Sequence, residues 1–215
     1  MFLRQFSDPP TGALAYLVAD RPGGDAVAID PVPGLEELLA AVAREQSLRV
    51  HHILVTHVHE VDGFRPRTLM QATGAGLVAG ARAIVTGTCR RVRDGDRLAV
   101  GALAVEVIDT PGHTPGCVSY RIEDRLFCGD AIAIADCAEP ACETDLGALY
   151  DSVTRRVFGL PDETLVYPAH DRRGRTVSTV GEERRANRAF AGLSREAFLT
   201  VMTVRAADRA EWSQP

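Results

Sequence analysis

The sequence predicts an α/β chain, an αββα sandwich in which two β-sheets pack face to face with helices outside, as one domain over residues 1–215. Two observations carry this. Short apolar or β-branched runs come in blocks, with amphipathic helical stretches between them. Four short histidine- or aspartate-bearing segments each follow such a run, so that strand ends can deliver polar side chains to one sheet edge. With 215 residues, 46% of them hydrophobic, the chain is ample for one large core.

Gly12 to Val18 and Ala26 to Ile29 read as strands, with Arg21-Pro22-Gly23-Gly24 as the turn between them. Leu35, Leu38, Leu39 and Val42 recur at helical spacing and predict a helix from Leu35 to Glu45. Val50 to Thr56 is a β-branched run that reads as a buried strand. Ala75 to Ala79, Leu103 to Ile108, Val118 to Ile122, Leu126 to Cys128 and Leu165 to Tyr167 are further strands. Leu146, Leu149, Tyr150, Val153 and Val157 mark a second helix. Ser194 is placed to cap a last one, with Phe198, Val201 and Met202 on one face.

A net charge of −5 gives no basic field for nucleic acid or an anionic membrane. No apolar run approaches the roughly 20 residues needed to span a bilayer, and the start, Met1-Phe2-Leu3-Arg4-Gln5, has no signal-peptide pattern. The expectation is a cytoplasmic protein. Its five cysteines, Cys89, Cys117, Cys128, Cys137 and Cys142, are irregularly spaced with no CxxC pair, so neither disulfides nor a thiolate-rich structural zinc site is expected.

The four segments are Thr56-His57-Val58-His59, Pro111-Gly112-His113-Thr114-Pro115-Gly116, Cys128-Gly129-Asp130 and Tyr167-Pro168-Ala169-His170-Asp171, and they hold four of the six histidines. A His-x-His pair past a strand end points two imidazoles to one side. Two Pro-Gly pairs lock the backbone about His113. Asp130, after an apolar run and a glycine, reads as a helix cap or a ligand. Together, imidazoles and a carboxylate at successive strand ends make a mixed nitrogen–oxygen site of the kind that suits zinc or non-haem iron. His51 and His52, at the other end of the same strand, read as ordinary solvated or packed histidines.

On these segments, with Thr176-Val177-Ser178-Thr179-Val180-Gly181-Glu182-Glu183-Arg184 and Asn187 beyond them, the chain resembles the metallo-β-lactamase fold superfamily. It is most similar there to the persulfide dioxygenase group, with the glyoxalase II hydrolases as cousins. The resemblance implies a mononuclear Fe(II) held by His57, His113 and Asp130, with His59 and His170 beside it, orienting ligands or substrate. It implies oxidation of glutathione persulfide, or a related small persulfide, by dioxygen to sulfite and thiol, and it admits a homodimer. The alternatives are a Zn(II) thioester hydrolase, in which His59 and His170 would bind metal directly, and a non-catalytic metal-binding homologue.

Two departures stand out. The superfamily's His-x-His-x-Asp-His reads here His57-Val58-His59-Glu60-Val61-Asp62. Valine replaces an aspartate that would help hold a second metal, which favours a mononuclear site. Asp62 is left as a substitute oxygen ligand with Asp130 and His170, or as a loop carboxylate. Secondly, the stretch from Ala135 to Asp145 has no arginine to hold glutathione and carries four acidic residues. It reads as a solvated loop, or as an acidic rim that repels a dicarboxylate. Arg172, Arg173 and Arg175 are candidate substitutes for the missing charge.

Overall fold

A computed structural model describes residues 1–59, 66–138, 143–171 and 174–212. Val61 and Asp62, like Arg172, Arg173 and Cys142, lie outside the described residues.

Two six-stranded sheets each run in chain order. The first comprises β1 (Phe2–Asp8), β2 (Ala13–Ala19), β3 (Asp25–Ile29), β4 (Arg49–Val55), β5 (Gly76–Gly80) and β6 (Arg90–Val92). The second comprises β7 (Arg97–Val100), β8 (Leu103–Asp109), β9 (Val118–Ile122), β10 (Arg125–Gly129), β11 (Leu165–Pro168) and β12 (Ser178–Thr179). Antiparallel hairpins build the outer parts, while β3 to β6 and the β10–β11 pair are parallel. The predicted turn after β2 closes with Gly24 N–H donating to Arg21 O at 3.0 Å.

β2 shows why both of its faces are apolar. Ala15, Leu17 and Ala19 face helices α1 (Glu36–Glu45) and α2 (Arg67–Thr73), with Leu39, Val42 and Leu69. Leu14, Tyr16 and Val18 face the second sheet, meeting Val105, Val107, Tyr120 and Phe127. The period-two alternation of a strand supplies both layers at once. The outer face of the second sheet is covered by α3 (Leu146–Asp151), α4 (Val180–Ala186) and α5 (Arg195–Trp212), through Leu149, Val180, Phe198 and Met202. The helices thus lie outside two stacked sheets. No helix among the described residues is long and apolar enough to cross a membrane.

Several elements differ from expectation. The predicted second helix ends in a π-helical stretch, Ser152–Val157, where Ser152 Oγ donates to Pro111 O at 2.6 Å and Thr154 Oγ1 to Tyr150 O at 2.7 Å. Side-chain bonds to nearby carbonyls compete with the helix ladder in this way. Ser194 caps α5 as expected, accepting from Ala197 N at 3.2 Å. Val201, however, does not share the buried face: it is 37% exposed, against 0% for Phe198 and 2% for Met202. The i, i+4 pair fills the contact stripe, and the i+3 position falls at its edge. Strands β1, β6, β7 and β12, and helices α2 and α4, were not expected. They are short or mix polar with apolar residues, which blurs their periodicity.

Candidate metal centre

All four ligand-bearing segments leave strand ends on the same rim of the sandwich. β4 leads to His57, β8 to His113, β10 to Asp130 and β11 to His170. Hydrogen bonds couple these loops: Val118 N–H donates to Thr56 O at 2.9 Å, Ala169 N–H to Gly129 O at 3.0 Å, and Leu14 N–H to Ala169 O at 2.7 Å.

Two glycines allow the close approach. Gly112 has φ +143°, and a Cβ there would lie 2.3 Å from the backbone of Leu149, so the start of α3 packs directly on the His113 loop. Gly129 has φ +58°, and a Cβ there would sit 2.4 Å from Thr56 Oγ1. Both the left-handed backbone and the contact call for glycine.

The side chains converge. Asp130 Oδ2 lies 3.6 Å from His57 Nε2 and 3.5 Å from His113 Nε2. His113 Nε2 is 3.3 Å from His59 Nε2, and one ring nitrogen from each of His57, His59 and His113 falls within 4.8 Å of the others. Two donors about 2.0–2.2 Å from a common ion stand about 3.0–3.6 Å apart at ordinary coordination angles, so this spacing fits a metal ion. His170 is joined to the cluster differently: its Nδ1–H lies 2.9 Å from each Asp130 carboxylate oxygen. This pair of contacts holds the carboxylate in its orientation.

His57, His59 and Asp130 each have a partner behind them. Asp30, at a positive φ of 47°, accepts from Thr56 N at 2.7 Å and from Thr56 Oγ1 at 2.8 Å. With its proton given to Asp30, Thr56 Oγ1 accepts from His57 Nδ1–H at 2.9 Å, which leaves the Nε2 lone pair facing the cluster. His59 Nδ1–H donates to Glu143 Oε1 at 2.6 Å. His113 Nδ1 is buried without a hydrogen-bond partner among the described residues.

Burial sets the charge states. It pushes the Asp30 carboxyl up to about 7, against the opposing hydrogen bonds from Thr56. It pushes His57 down to about 4, and lowers His113 as well. Both imidazoles are therefore neutral at pH 7, the form that binds metal. Burial alone would raise Asp130, but the His170 hydrogen bond, with the attraction of His57, His170 and His113 wherever they are protonated, holds it well below the usual carboxylate range. The result is an ionised carboxylate beside the neutral imidazoles of His57 and His113. Burial pushes the Cys117 thiol up to about 11 and that of Cys128 higher still, which makes both poor nucleophiles.

Residues 62–170 match the metallo-beta-lactamase superfamily. Over 210 residues the chain is 36% identical to the mitochondrial persulfide dioxygenase ETHE1 of Bos taurus, covering 94% of this chain and 80% of that one. The chain belongs to the metallo-beta-lactamase superfamily. Its fold is that superfamily's αββα sandwich, and ETHE1 from Myxococcus xanthus superposes with a TM-score of 0.88 at 38% identity, over 94% of this chain and 90% of that one. A hydroxyacylglutathione hydrolase of Polaromonas is 36% identical over 162 residues, 73% of this chain and 61% of that one. Within this superfamily the chain is an enzyme of the persulfide dioxygenase type, with hydrolases as relatives.

The structure thus brings together His57, His59, His113, Asp130 and His170. It gives Arg175 another partner: Arg175 Nη2 lies 2.6 Å from Glu182 Oε1, about half exposed. The acidic stretch is not simply a solvated loop. Glu143 turns inward to His59, Asp145 caps α3 by accepting from Ala148 N at 2.9 Å, and Asp136 pairs with Arg205 at 2.8 Å. Sequence reasoning missed Asp30 and Glu143. Asp30 carried a signal, since a carboxylate closing the apolar run Ala26 to Ile29 repeats the Asp130 pattern. Glu143 carried none, because its partner lies 84 residues away.

Proposed function

We infer that this protein is an iron-dependent dioxygenase that oxidises a low-molecular-weight persulfide, glutathione persulfide or a relative of it, to sulfite and the parent thiol. The observation that supports it most is the Asp130 carboxylate, 3.6 and 3.5 Å from the Nε2 atoms of His57 and His113. Two imidazoles and one carboxylate on one side of a site suit Fe(II) and leave adjacent positions at which dioxygen and a sulfur can meet. Zinc has no redox chemistry, so a dioxygenase here requires a redox-active metal.

The protein's own residues hold this arrangement. Asp30 and Thr56 fix the ring of His57, His170 fixes Asp130, and the buried surroundings keep the imidazoles unprotonated. A cytoplasmic location belongs to the same reading, since the buried thiols of Cys117 and Cys128 suit a reducing compartment.

A zinc-dependent thioester hydrolase is the second reading, favoured by His59 standing as a third imidazole at the cluster. One experiment separates them: elemental analysis of anaerobically purified protein, with oxygen uptake on glutathione persulfide in the same sample. One iron per chain with uptake supports the dioxygenase. Zinc with thioester hydrolysis and no uptake overturns it.

A further inference from the structure

Glu143 stands out among the carboxylates near the site because its neighbours fix it in place. Thr144 Oγ1 donates to His113 O at 3.0 Å, and Asp145 N–H donates to Gly112 O at 2.8 Å. Asp145 also caps α3, whose first turns rest on Gly112. The backbone that carries Glu143 is therefore bonded to the loop that carries His113. Its side chain is only 10% exposed, against 26% for His59.

The consequence falls on His59. A carboxylate accepts only, so the 2.6 Å contact fixes the proton on His59 Nδ1. The Nε2 lone pair then points at His113 Nε2, 3.3 Å away. Without this bond the ring would be free to turn about its side-chain torsions or to change tautomer.

We propose that Glu143 is a positioning residue that holds His59 with its Nε2 turned to the metal site, so that a third imidazole faces the ion beside the His57, His113 and Asp130 set. This rests on the metal-centre reading above and refines it. The carboxylate reaches His59 from the 143–145 segment, a different part of the chain from Asp30 and Thr56, which hold His57. The set His57, His59, His113 and Asp130 then has partners behind three of its members. Glu143 is also an acid in the stretch where an arginine would help hold glutathione, and its charge is engaged by an imidazole instead of facing solvent.

The test is titration of the metal-free protein with Co(II), whose visible absorption reports the number and kind of ligands, with affinity read by chelator competition. Glu143→Ala should weaken Co(II) binding about 10–100-fold and change the spectrum. Glu143→Gln, which keeps an acceptor oxygen of the same shape, should lose less. In a His59→Ala background, Glu143→Ala should change affinity by less than about twofold, because the residue it acts through is gone. Thermal unfolding of each metal-free variant checks folding, and Glu143→Gln carries the comparison if the alanine variant does not fold. Wild-type affinity and spectrum in both Glu143 variants would overturn the proposal alone, as would losses that multiply with that of His59→Ala. A wild-type protein that binds no Co(II) would overturn the metal centre and the proposal together.

Discussion

Gly129 leaves Thr56 Oγ1 the space it occupies: a Cβ on Gly129 would lie 2.4 Å from that oxygen. The contact joins the loop of Asp130 to the loop of His57, and Thr56 Oγ1 is the atom that links Asp30 to His57 Nδ1. Gly129→Ala therefore meets both a left-handed backbone and a hard contact. It should destabilise the fold by about 2–4 kcal/mol, lowering Tm by about 5–15 °C in a chain of this size. Metal content should fall in the fraction that folds. Differential scanning calorimetry with elemental analysis checks it; an unchanged Tm would refute the steric account.

Thr56→Val removes the hydroxyl and keeps the shape. Asp30 Oδ2 loses a donor and His57 Nδ1 loses its acceptor, both in buried surroundings. The expected loss is about 1–3 kcal/mol of stability and about 10–100-fold in metal affinity. Denaturant unfolding and metal competition measure the two separately. Thr56→Ser, which restores the hydroxyl, should recover most of the affinity.

The metal-free protein should show opposing pH terms. Asp30 titrates near 7 when folded against an ordinary 3.8, so its stabilisation is complete below 3.8 and is lost as pH rises towards 7. His57 titrates near 4 when folded against an ordinary 6.5, so the unfolded chain takes up a proton the folded one refuses, and stability rises with pH from 4 to 6.5. The two oppose each other between about 4 and 6.5. Removing one, in Asp30→Asn, should steepen the rise of Tm with pH across that window. The slope contributed by each group is at most about 1.4 kcal/mol per pH unit. Thermal melts in the presence of chelator test this, and identical slopes in both proteins would exclude Asp30 as the opposing group.

Loading with Fe(II) under anaerobic conditions should stabilise the fold by mass action, about 2.7 kcal/mol at a hundred times Kd. Asp130→Ala should abolish that gain, because the carboxylate is the anionic member of the cluster. His170→Ala should reduce it without abolishing it, since His170 Nδ1 holds the Asp130 carboxylate, which itself remains. A Tm shift in Asp130→Ala equal to that of wild type would place the metal elsewhere.

Asn187 and Glu183 hold the loop that follows Asp130. Asn187 Nδ2 donates to Ala133 O, Asp136 O and Glu183 Oε2, while Ala135 N–H donates to Glu183 Oε2 at 2.9 Å. Both residues are 1% exposed. Asn187→Ala strands several buried polar groups and should cost about 2 kcal/mol or more. Urea unfolding checks the magnitude, and a loss under about 0.5 kcal/mol would show that the loop holds itself.

Much of this was legible in the sequence. The pattern of an apolar run ending in histidine or aspartate placed His57, His113, Asp130 and His170 at strand ends, because a strand's direction and length are local properties. The helices Leu35–Glu45 and Leu146–Val157 were legible for the same reason, since each carries its own period. What failed depended on distance. The bonds from His59 to Glu143 and from Asn187 to the 133–136 loop join residues 84 and about 50 apart, and no local pattern records them. The π-helical turn failed similarly, because its hydroxyl acceptor Pro111 O lies 41 residues upstream of Ser152.

His57 and His59 leave the first sheet, whereas His113, Asp130 and His170 leave the second. An ion bound among them fastens the two layers at one rim, so its affinity is a gauge of how the layers register. A slide of one sheet over the other by a fraction of an ångström leaves every strand intact yet pulls the donors apart. Substitutions deep in the intersheet core, at Leu54 or Val107, should therefore lower metal occupancy before they alter the circular dichroism of the backbone.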